Sequence, residues 1–328
     1  MTSQNASCGD ASFFESTRYI LVFTNLVTVL SIPVSAYALY CIIYVTPRNM
    51  NTARKHLLIV HFWTMTFDVV FNLLNAPLLF FPSASFVMLG YGYEMGIPAR
   101  FQYYLIQAIV CVIAMANNGL FENRFSSITT NRYRLKYNWM RVLLHIFNYC
   151  VAFFVVVPPY LTDIDLSATR TEFLKTLHCP PVEFFTDRFA VVTNQPHYIT
   201  IFMFIQFMIC LPQSIIFTSY STYLLVYQPN KSVSDATRKI QYKFLVALIV
   251  QCSIPHIFLL IPVLYIWFSA WTDYYNAVYN NHIVALVSLH GLCATLCILM
   301  IHKPYRDHFM SLFENRIAPS VIVSSQLL

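Results

Sequence analysis

Seven long apolar stretches constrain this 328-residue chain more than any other feature of its sequence. A membrane-spanning helix needs about 20 consecutive, mostly apolar residues, and each stretch reaches that length. Only 10% of the residues are charged, whereas an ordinary soluble domain has roughly 25%. The sequence therefore predicts an all-α integral membrane bundle with seven spans, at about Tyr19–Val45, Leu57–Pro82, Ala99–Glu122, Val142–Leu161, Pro196–Val226, Lys243–Ser269 and Asn281–Ile301.

These boundaries divide the chain into a polar N-terminal tail (residues 1–18), a seven-helix domain (residues 19–301) and a C-terminal region (residues 302–328). The tail lacks the basic segment and apolar core of a signal peptide, so we expect the first span to direct insertion. After the seventh span, Pro304 suits the first turn of a new helix. Apolar residues then recur at Phe309, Leu312 and Phe313, which predicts a short amphipathic helix in contact with lipids of the inner membrane surface.

The orientation of the bundle is predicted from the positive charges in its loops. Fifteen Lys and Arg residues lie on one side of the spans and five on the other. Because cytoplasmic loops carry the excess of Lys and Arg, the N-terminus and the loop at residues 162–195 are predicted to lie outside. Asn5 begins an Asn-Ala-Ser sequon, which is an acceptor for N-glycosylation on that side. The basic charge then reflects anionic lipids and an acidic cytosolic partner, and no nucleic acid is implied.

Two of the nine cysteines, Cys8 and Cys179, fall in segments predicted to lie outside. Extracellular segments are oxidising, so we hypothesise a disulfide between these two residues, with two free thiols as the alternative. The other seven cysteines lie within or at the ends of spans, where cysteine acts as a small apolar residue.

Asp68 is a carboxylate deep within the second span. A charge at bilayer depth costs about 2.5–3.5 kcal/mol on insertion scales, so we expect Asp68 to face the bundle interior and to have a polar partner. It could act as a protonation- or cation-sensitive switch, or as a hydrogen-bonded residue that ties helices together. The candidate partners are Asn72, Asn75, Asn117, Asn118, Ser288 and His290.

Glu122, Asn123 and Arg124 lie where the third span reaches the inner side. Residues two apart do not share a helix face, so Glu122 and Arg124 are each free to pair with another helix or with a partner protein. They could form an ionic latch that opens for a cytosolic partner, or Arg124 could be an interfacial anchor. Prolines in five of the spans predict bent helices with a cavity between them.

The motifs of common enzyme and metal sites do not occur in this sequence. It has no Gly-rich phosphate loop, no Cys-x-x-Cys pair and no nucleophile elbow, and its ten His are scattered. The sequence therefore predicts no enzyme, metal or cofactor. Two other functions remain as alternatives, a seven-helix ligand-gated channel and a small-molecule transporter. An outside N-terminus opposes the first, because insect odorant-receptor channels have theirs inside, and the lack of internal repeats weakens the second.

Several motifs together resemble the nematode serpentine chemoreceptors of class H, which are seven-transmembrane G-protein-coupled receptors of the Str superfamily. A sister class, such as class I or the Str class, is the alternative. The motifs are Phe121-Glu122-Asn123-Arg124-Phe125, His302-Lys303-Pro304-Tyr305-Arg306, His61-Phe62-Trp63 with Asp68, Leu177-His178-Cys179-Pro180-Pro181 followed by Glu183-Phe184-Phe185, and Gln251 with Pro255 and Pro262.

This resemblance implies a plasma-membrane receptor of sensory cilia that binds a small molecule and activates a heterotrimeric G protein. Glu122, Asn123 and Arg124 would then form the acid–arginine switch, and Pro304, Tyr305 and Arg306 would form the junction after the seventh span. We expect the ligand pocket in the outer half, between the third, fifth, sixth and seventh spans, where few charges suggest a small, mostly uncharged ligand. Its candidate residues are Tyr104, Gln107, Cys111, His197, Met208, Phe258, Leu259 and His282.

Overall fold

The computed structural model describes residues 12–47, 50–128, 131–176, 181–228 and 234–317. It is mostly helical, and seven of its helices are long and apolar enough to cross a membrane, which confirms the predicted seven-helix bundle. In chain order the α-helices of the described part are α1 (Thr17–Tyr40), α2 (Asn51–Asp68), α3 (Tyr91–Glu94), α4 (Ala99–Ser127), α5 (Asn138–Phe154), α6 (Leu166–Thr176), α7 (Pro196–Val226), α8 (Asp235–Thr272), α9 (Ala277–Ile301) and α10 (Lys303–Ile317).

Helices α1, α2, α4, α5, α7, α8 and α9 form the bundle. We call the end where α1, α4, α7 and α9 begin the upper end, and the end where α10 begins the lower end. Helix α1 continues as a π-helical turn at Cys41–Val45, and α2 continues as another at Val69–Asn75. Helix α4 lies at the centre of the bundle. In its most apolar 18-residue segment 78% of the residues are buried, whereas only 17% are buried in the corresponding segment of the span that begins with α5.

A small antiparallel sheet covers part of the upper end and corrects the predicted second span. That span was expected to run to Pro82, but the helix ends at Asn75 and Ala76 takes a left-handed conformation, with φ of 38°. A residue before proline is disfavoured in the α region, and Pro77 follows. The sheet has the order β1-β2-β3, with strands β1 (Pro77–Leu79), β2 (Ser85–Met88) and β3 (Phe189–Val191).

Arg100 joins three segments of the upper end. Its guanidinium donates hydrogen bonds to the carbonyl oxygens of Tyr160 (3.0 Å), Thr162 (3.2 Å) and Val192 (3.1 Å). Tyr160 and Thr162 follow α5, and Val192 follows β3. Hydrogen bonds from a charged donor are stronger than neutral ones, so this single side chain fixes the loop after α5 and the end of the sheet against the start of α4.

Helix α10 packs against the lower end of α1, as expected for a short helix after the seventh span. Tyr305 is fully buried, and its hydroxyl lies 2.7 Å from Oγ1 of Thr46. The hydroxyl of Tyr37 lies 3.0 Å from Nδ1 of His308. The opposite side of α10 leaves Met310 exposed. The helix therefore has one side against the bundle and an apolar group free to meet lipid.

Three of the predicted features, the Asn5 sequon and the cysteines Cys8 and Cys179, lie outside the described residues. The other seven cysteines are free thiols, and four of them, Cys41, Cys111, Cys210 and Cys252, are buried.

Candidate functional site

A cavity of about 130 Å³ lies between α4, α7 and α8. These helices meet here because α4 is the central helix and packs against both α7 and α8. Apolar side chains dominate the lining, and no charged side chain contributes among the described residues. The lining residues are Val110, Cys111, Ile113, Ala114, Asn117, Met203, Gln206, Phe207, Cys210, Leu211, His256, Leu259, Leu260 and Val263.

A second cavity of about 100 Å³ adjoins the first on the side of the upper end. The two share five lining residues from α4, α7 and α8. Residues of β1 and α9, including Leu79 and Val284, also line this second cavity. The shared residues are Val110, Cys111, Met203, Leu259 and Val263.

The first cavity reaches deeper than the predicted outer-half pocket. Asn117, which lines the first cavity, comes 18 residues after Ala99 at the start of α4. With a rise of 1.5 Å per residue, it lies about 27 Å along a helix about 43 Å long. The first cavity therefore extends past the middle of the bundle.

Three of the eight predicted pocket residues line these cavities, namely Gln107, Cys111 and Leu259. The other five line neither cavity. Tyr104 donates to the carbonyl of Phe153, and His282 lies beside Tyr19 on α1. The exposed His197 ring contacts Trp271, the side chain of Met208 is 44% exposed, and Phe258 is half-buried.

Three polar residues that were not predicted to belong to the pocket line the first cavity, namely Asn117, Gln206 and His256. They lie on three different helices, far apart in the chain, and no local motif marks them. An amide within an apolar span is a usable signal for Asn117 and Gln206, because polar groups in a membrane helix mostly face the bundle interior.

Glu122 lies in an ion-pair cluster with α5 at the lower end, and its side chain is 1% exposed. Nε of Arg141 donates to Oε1 of Glu122 (2.8 Å), and Nη2 donates to Oε2 (3.0 Å). Ser126 donates to Oε1 (2.7 Å), and Nε2 of His145 lies 3.5 Å from Oε2. Nη2 of Arg141 also donates to the side chain of Asn123 (3.2 Å). Two parallel bonds from one guanidinium give this pair a fixed geometry.

Arg124 points away from the Glu122 cluster. Its Nε and Nη2 have no hydrogen-bond partner among the described residues. Its guanidinium carbon lies 5.6 Å from the centroid of the Phe244 ring on α8. Glu122 and Arg124 thus contact different helices, as the two-residue spacing predicted, and two buried donors of Arg124 near the lower end have no partner in the described part of the chain.

Phe244 connects Arg124 to the junction between α9 and α10. The ring of His302 lies 6.0 Å from Phe244 and 5.5 Å from Tyr305, centroid to centroid. Burial lowers the pKa of His302 to about 4, so the imidazole is neutral near pH 7. Its Nε2 lies 3.2 Å from Oε1 of Gln251 on α8, where it can donate. This junction therefore joins α4, α8 and α10 through side chains at the lower end.

Pro304 and Arg306 are the other two predicted junction residues. Pro304 lies in the first turn of α10 and is half-buried. Arg306 is exposed, and it donates to the carbonyl oxygen of Met300 at 3.3 Å.

Asp68 is buried against the backbone of Gly291 on α9. None of the six predicted partners bonds to its carboxylate within the described residues. Asn72 donates instead to the carbonyl of Ser288 (3.4 Å), and both ring nitrogens of His290 lack partners in this part of the chain.

The other predicted partners of Asp68 are engaged elsewhere. Asn75 donates to the carbonyl of Gln102 (3.4 Å), and Asn118 donates to that of Cys210 (3.1 Å). Asn117 accepts from Cys252 at 3.5 Å. Asp68 does not bond to these predicted partners because its carboxylate lies against the backbone of α9, where Gly291 leaves room for it.

The chain also matches a known protein family. A family model described as "Serpentine type 7TM GPCR chemoreceptor Srh" matches residues 15–315. The match includes all seven spans. The chain belongs to the Srh family of serpentine chemoreceptors.

A curated relative of this Srh protein is serpentine receptor class H-72 from Caenorhabditis elegans. The two are 27% identical over 321 residues, which is 96% of this chain and 92% of the relative. The predicted resemblance to class H is thereby confirmed. The protein is a chemoreceptor of the G-protein-coupled type, with seven membrane-spanning helices.

The contact between Asp68 and Gly291 gives this Srh protein a steric test. A methyl group at Gly291 would overlap the carboxylate of Asp68. We expect Gly291→Ala to lower the free energy of unfolding by about 1–3 kcal/mol, as overpacked interiors do. The thermal unfolding midpoint of the purified protein in detergent measures this loss.

The double variant Gly291→Ala with Asp68→Ala is the control, because it removes the group that the methyl would strike. We expect it to be more stable than Gly291→Ala alone. If the double variant is no more stable than that single variant, the steric explanation is wrong.

Proposed function

We propose that this Srh protein binds a small, mostly apolar or uncharged molecule in the two adjoining cavities and activates a heterotrimeric G protein at its lower end. The observation that carries the proposal is that the bundle has two distinct features at different distances from its upper end. One is an apolar cavity between α4, α7 and α8, and the other is the guanidinium of Arg124 near the lower end, whose Nε and Nη2 have no partner among the described residues. Helices α4 and α8 contribute to both features.

The ligand class follows from the cavity lining. A charged ligand would have to leave water without an opposite charge to meet it, which is costly at low dielectric. The described lining residues of both cavities include no Asp, Glu, Lys or Arg. A mostly apolar site with a few polar groups is typical of small-molecule binding sites.

The coupling surface is proposed at Arg124 together with the α9–α10 junction. Arg124 offers donors that no described residue uses, and it contacts Phe244 of α8. Phe244 in turn contacts His302 beside Tyr305. A ligand that shifts α8 relative to α4 would change the surroundings of Arg124, because both helices line the first cavity.

We propose that the upper end faces outside, in the plasma membrane of a sensory cilium. The excess of Lys and Arg in the loops of the lower end supports this orientation. In that orientation a ligand reaches the cavities from outside, whereas Arg124 faces the cytosol.

The orientation makes a direct prediction. An N-terminal epitope should stain intact cells, and glycosidase treatment should shift the mobility of the chain through Asn5. The Asn5→Gln variant is the matched control and should not shift. Staining that needs permeabilised cells, together with no glycosidase shift, would place the N-terminus inside and rule out this orientation.

The receptor function is tested with small neutral molecules applied to cells that express the chain, with intracellular calcium as the readout. We expect a concentration-dependent rise that parental cells lack. Cells loaded with a GDP analogue that locks the G protein inactive should lose the response. A response that survives this treatment would contradict G-protein coupling and favour a ligand-gated channel.

A further inference from the structure

Two amide side chains in the first cavity have hydrogen-bonding groups without partners. Gln206 on α7 is 6% exposed, and neither its Nε2 nor its Oε1 is paired among the described residues. Asn117 on α4 is 3% exposed, and its Nδ2 is likewise unpaired in this part of the chain. Both residues line the same cavity.

Two other amides of α4 and α7, those of Asn118 and Gln213, are satisfied. Asn118 donates to the carbonyl of Cys210 at 3.1 Å and accepts from Ser214. Gln213 on α7 exchanges hydrogen bonds with Asn148 on α5, at 2.9 and 3.1 Å. The packing of α4, α5 and α7 therefore provides partners for amides that hold helices together. Gln206 is different, because it lines the first cavity and its two amide atoms have no partner among the described residues.

His256 adds a third polar group to this cavity. Its Nδ1 lies 2.5 Å from the carbonyl oxygen of Cys252. A carbonyl only accepts, so Nδ1 carries a hydrogen, and in the tautomer with its hydrogen on Nδ1 the other ring nitrogen, Nε2, is an acceptor. The cavity thus offers amide donors from α4 and α7 and acceptors from α7 and α8.

We infer that Gln206 and Asn117 bind the polar end of the ligand, and that this end is a single neutral oxygen function, a carbonyl or a hydroxyl, on an apolar body. This inference rests on the proposed ligand site and names the chemistry of its occupant. A buried polar group without a partner is costly, and a carbonyl oxygen can accept from both amides. A hydroxyl can also donate to Gln206 or His256. Neither a carboxylate nor an ammonium group would find an opposite charge among the described lining residues.

The test uses purified full-length protein in detergent and its ligand-induced thermal stabilisation. The probes are methyl ketones, primary alcohols, n-alkanes, alkanoic acids and alkylamines of matched chain length. We expect ketones or alcohols to stabilise the wild type at lower concentration than alkanes do. In Gln206→Leu the concentration needed for these polar probes should rise about tenfold, as for one lost hydrogen bond in a dry site. The alkane response should stay unchanged.

Two further variants separate ligand binding from folding. Gln206→Met keeps the length of the side chain and should repeat the selective loss. Because the amide of Gln206 pairs with no residue that the structure describes, both variants should unfold at or above the wild-type temperature without ligand. Gln213→Leu is the matched control on the same helix. It breaks the pair with Asn148, so it should lower the unfolding temperature without changing the preference for ketones and alcohols over alkanes.

Three results would overturn the inference: stabilisation by acids or amines alone, no stabilisation by any neutral probe, or polar probes that bind both Gln206 variants as they bind the wild type. Failure of the proposed receptor function has a different signature. Polar neutral probes would then bind selectively through Gln206 in detergent, but no G-protein response would occur in cells.

Discussion

Arg124→Ala is expected to abolish ligand-evoked G-protein activation while the protein still reaches the cell surface and binds ligand. The guanidinium of Arg124 has two donors near the lower end that no residue in the described ranges pairs with, and its described contact is the ring of Phe244. Losing such a cation–π contact costs about 0.5–1 kcal/mol, which is too little to unfold a membrane bundle. The loss of response would therefore reflect a missing contact with the partner protein.

The measurement is intracellular calcium after ligand addition, with surface staining of the same cells. Arg188→Ala is the matched control, because Arg188 lies near the upper end in a partly exposed pair with Glu94 (3.6 Å). We expect this control to respond like the wild type. If Arg124→Ala signals at full amplitude, Arg124 is an interfacial anchor and not part of a coupling switch.

Arg141→Ala is expected to cause the largest loss of stability, about 3 kcal/mol. Removing one partner of a buried ion pair typically costs 3–5 kcal/mol, because the other charge is left uncompensated. Glu122 is 1% exposed and would lose two of its hydrogen bonds, whereas Arg141 is 25% exposed. We therefore expect the lower end of that range. The thermal unfolding midpoint in detergent and the fraction at the cell surface should both fall.

Two controls isolate the cause of this loss. The double variant Arg141→Ala with Glu122→Gln removes both charges, so it should be more stable than Arg141→Ala alone. Arg238→Ala breaks a pair with Asp235 (3.1 Å) whose two side chains are 36% and 81% exposed. Exposed pairs contribute little, so this variant should keep the wild-type midpoint. Equal losses for Arg141→Ala and Arg238→Ala would contradict the role of the buried pair.

Hydropathy predicted where each of the seven spans lies in the chain, but it did not predict where the second span ends. The residues after Asn75 form an apolar hairpin that is buried against the upper end. A short apolar run has the same hydropathy in a buried strand as in a helix. The left-handed turn at Ala76 and the pairing of β2 with β3 from a distant loop could be seen only in the folded chain.

The pocket was harder to predict than the helices that form it. Helices α7 and α8 are apolar on all sides, so their hydropathy does not indicate which side faces the interior. Of two adjacent residues predicted for the pocket, Leu259 lines both cavities, whereas Phe258 lines neither. Gln206 was missed because its importance depends on a cavity between three helices.

Seven spans, a helix after them and membership of the Srh family could all be predicted from the amino-acid sequence. The reason is that a helix in lipid must satisfy its backbone hydrogen bonds within itself, so each span leaves a local apolar signal. The choice of partners left no such signal. The way the helices pack against one another decides that Glu122 pairs with Arg141 and that Asp68 contacts Gly291. It also decides that the amide of Gln206 lines a cavity without a partner among the residues described.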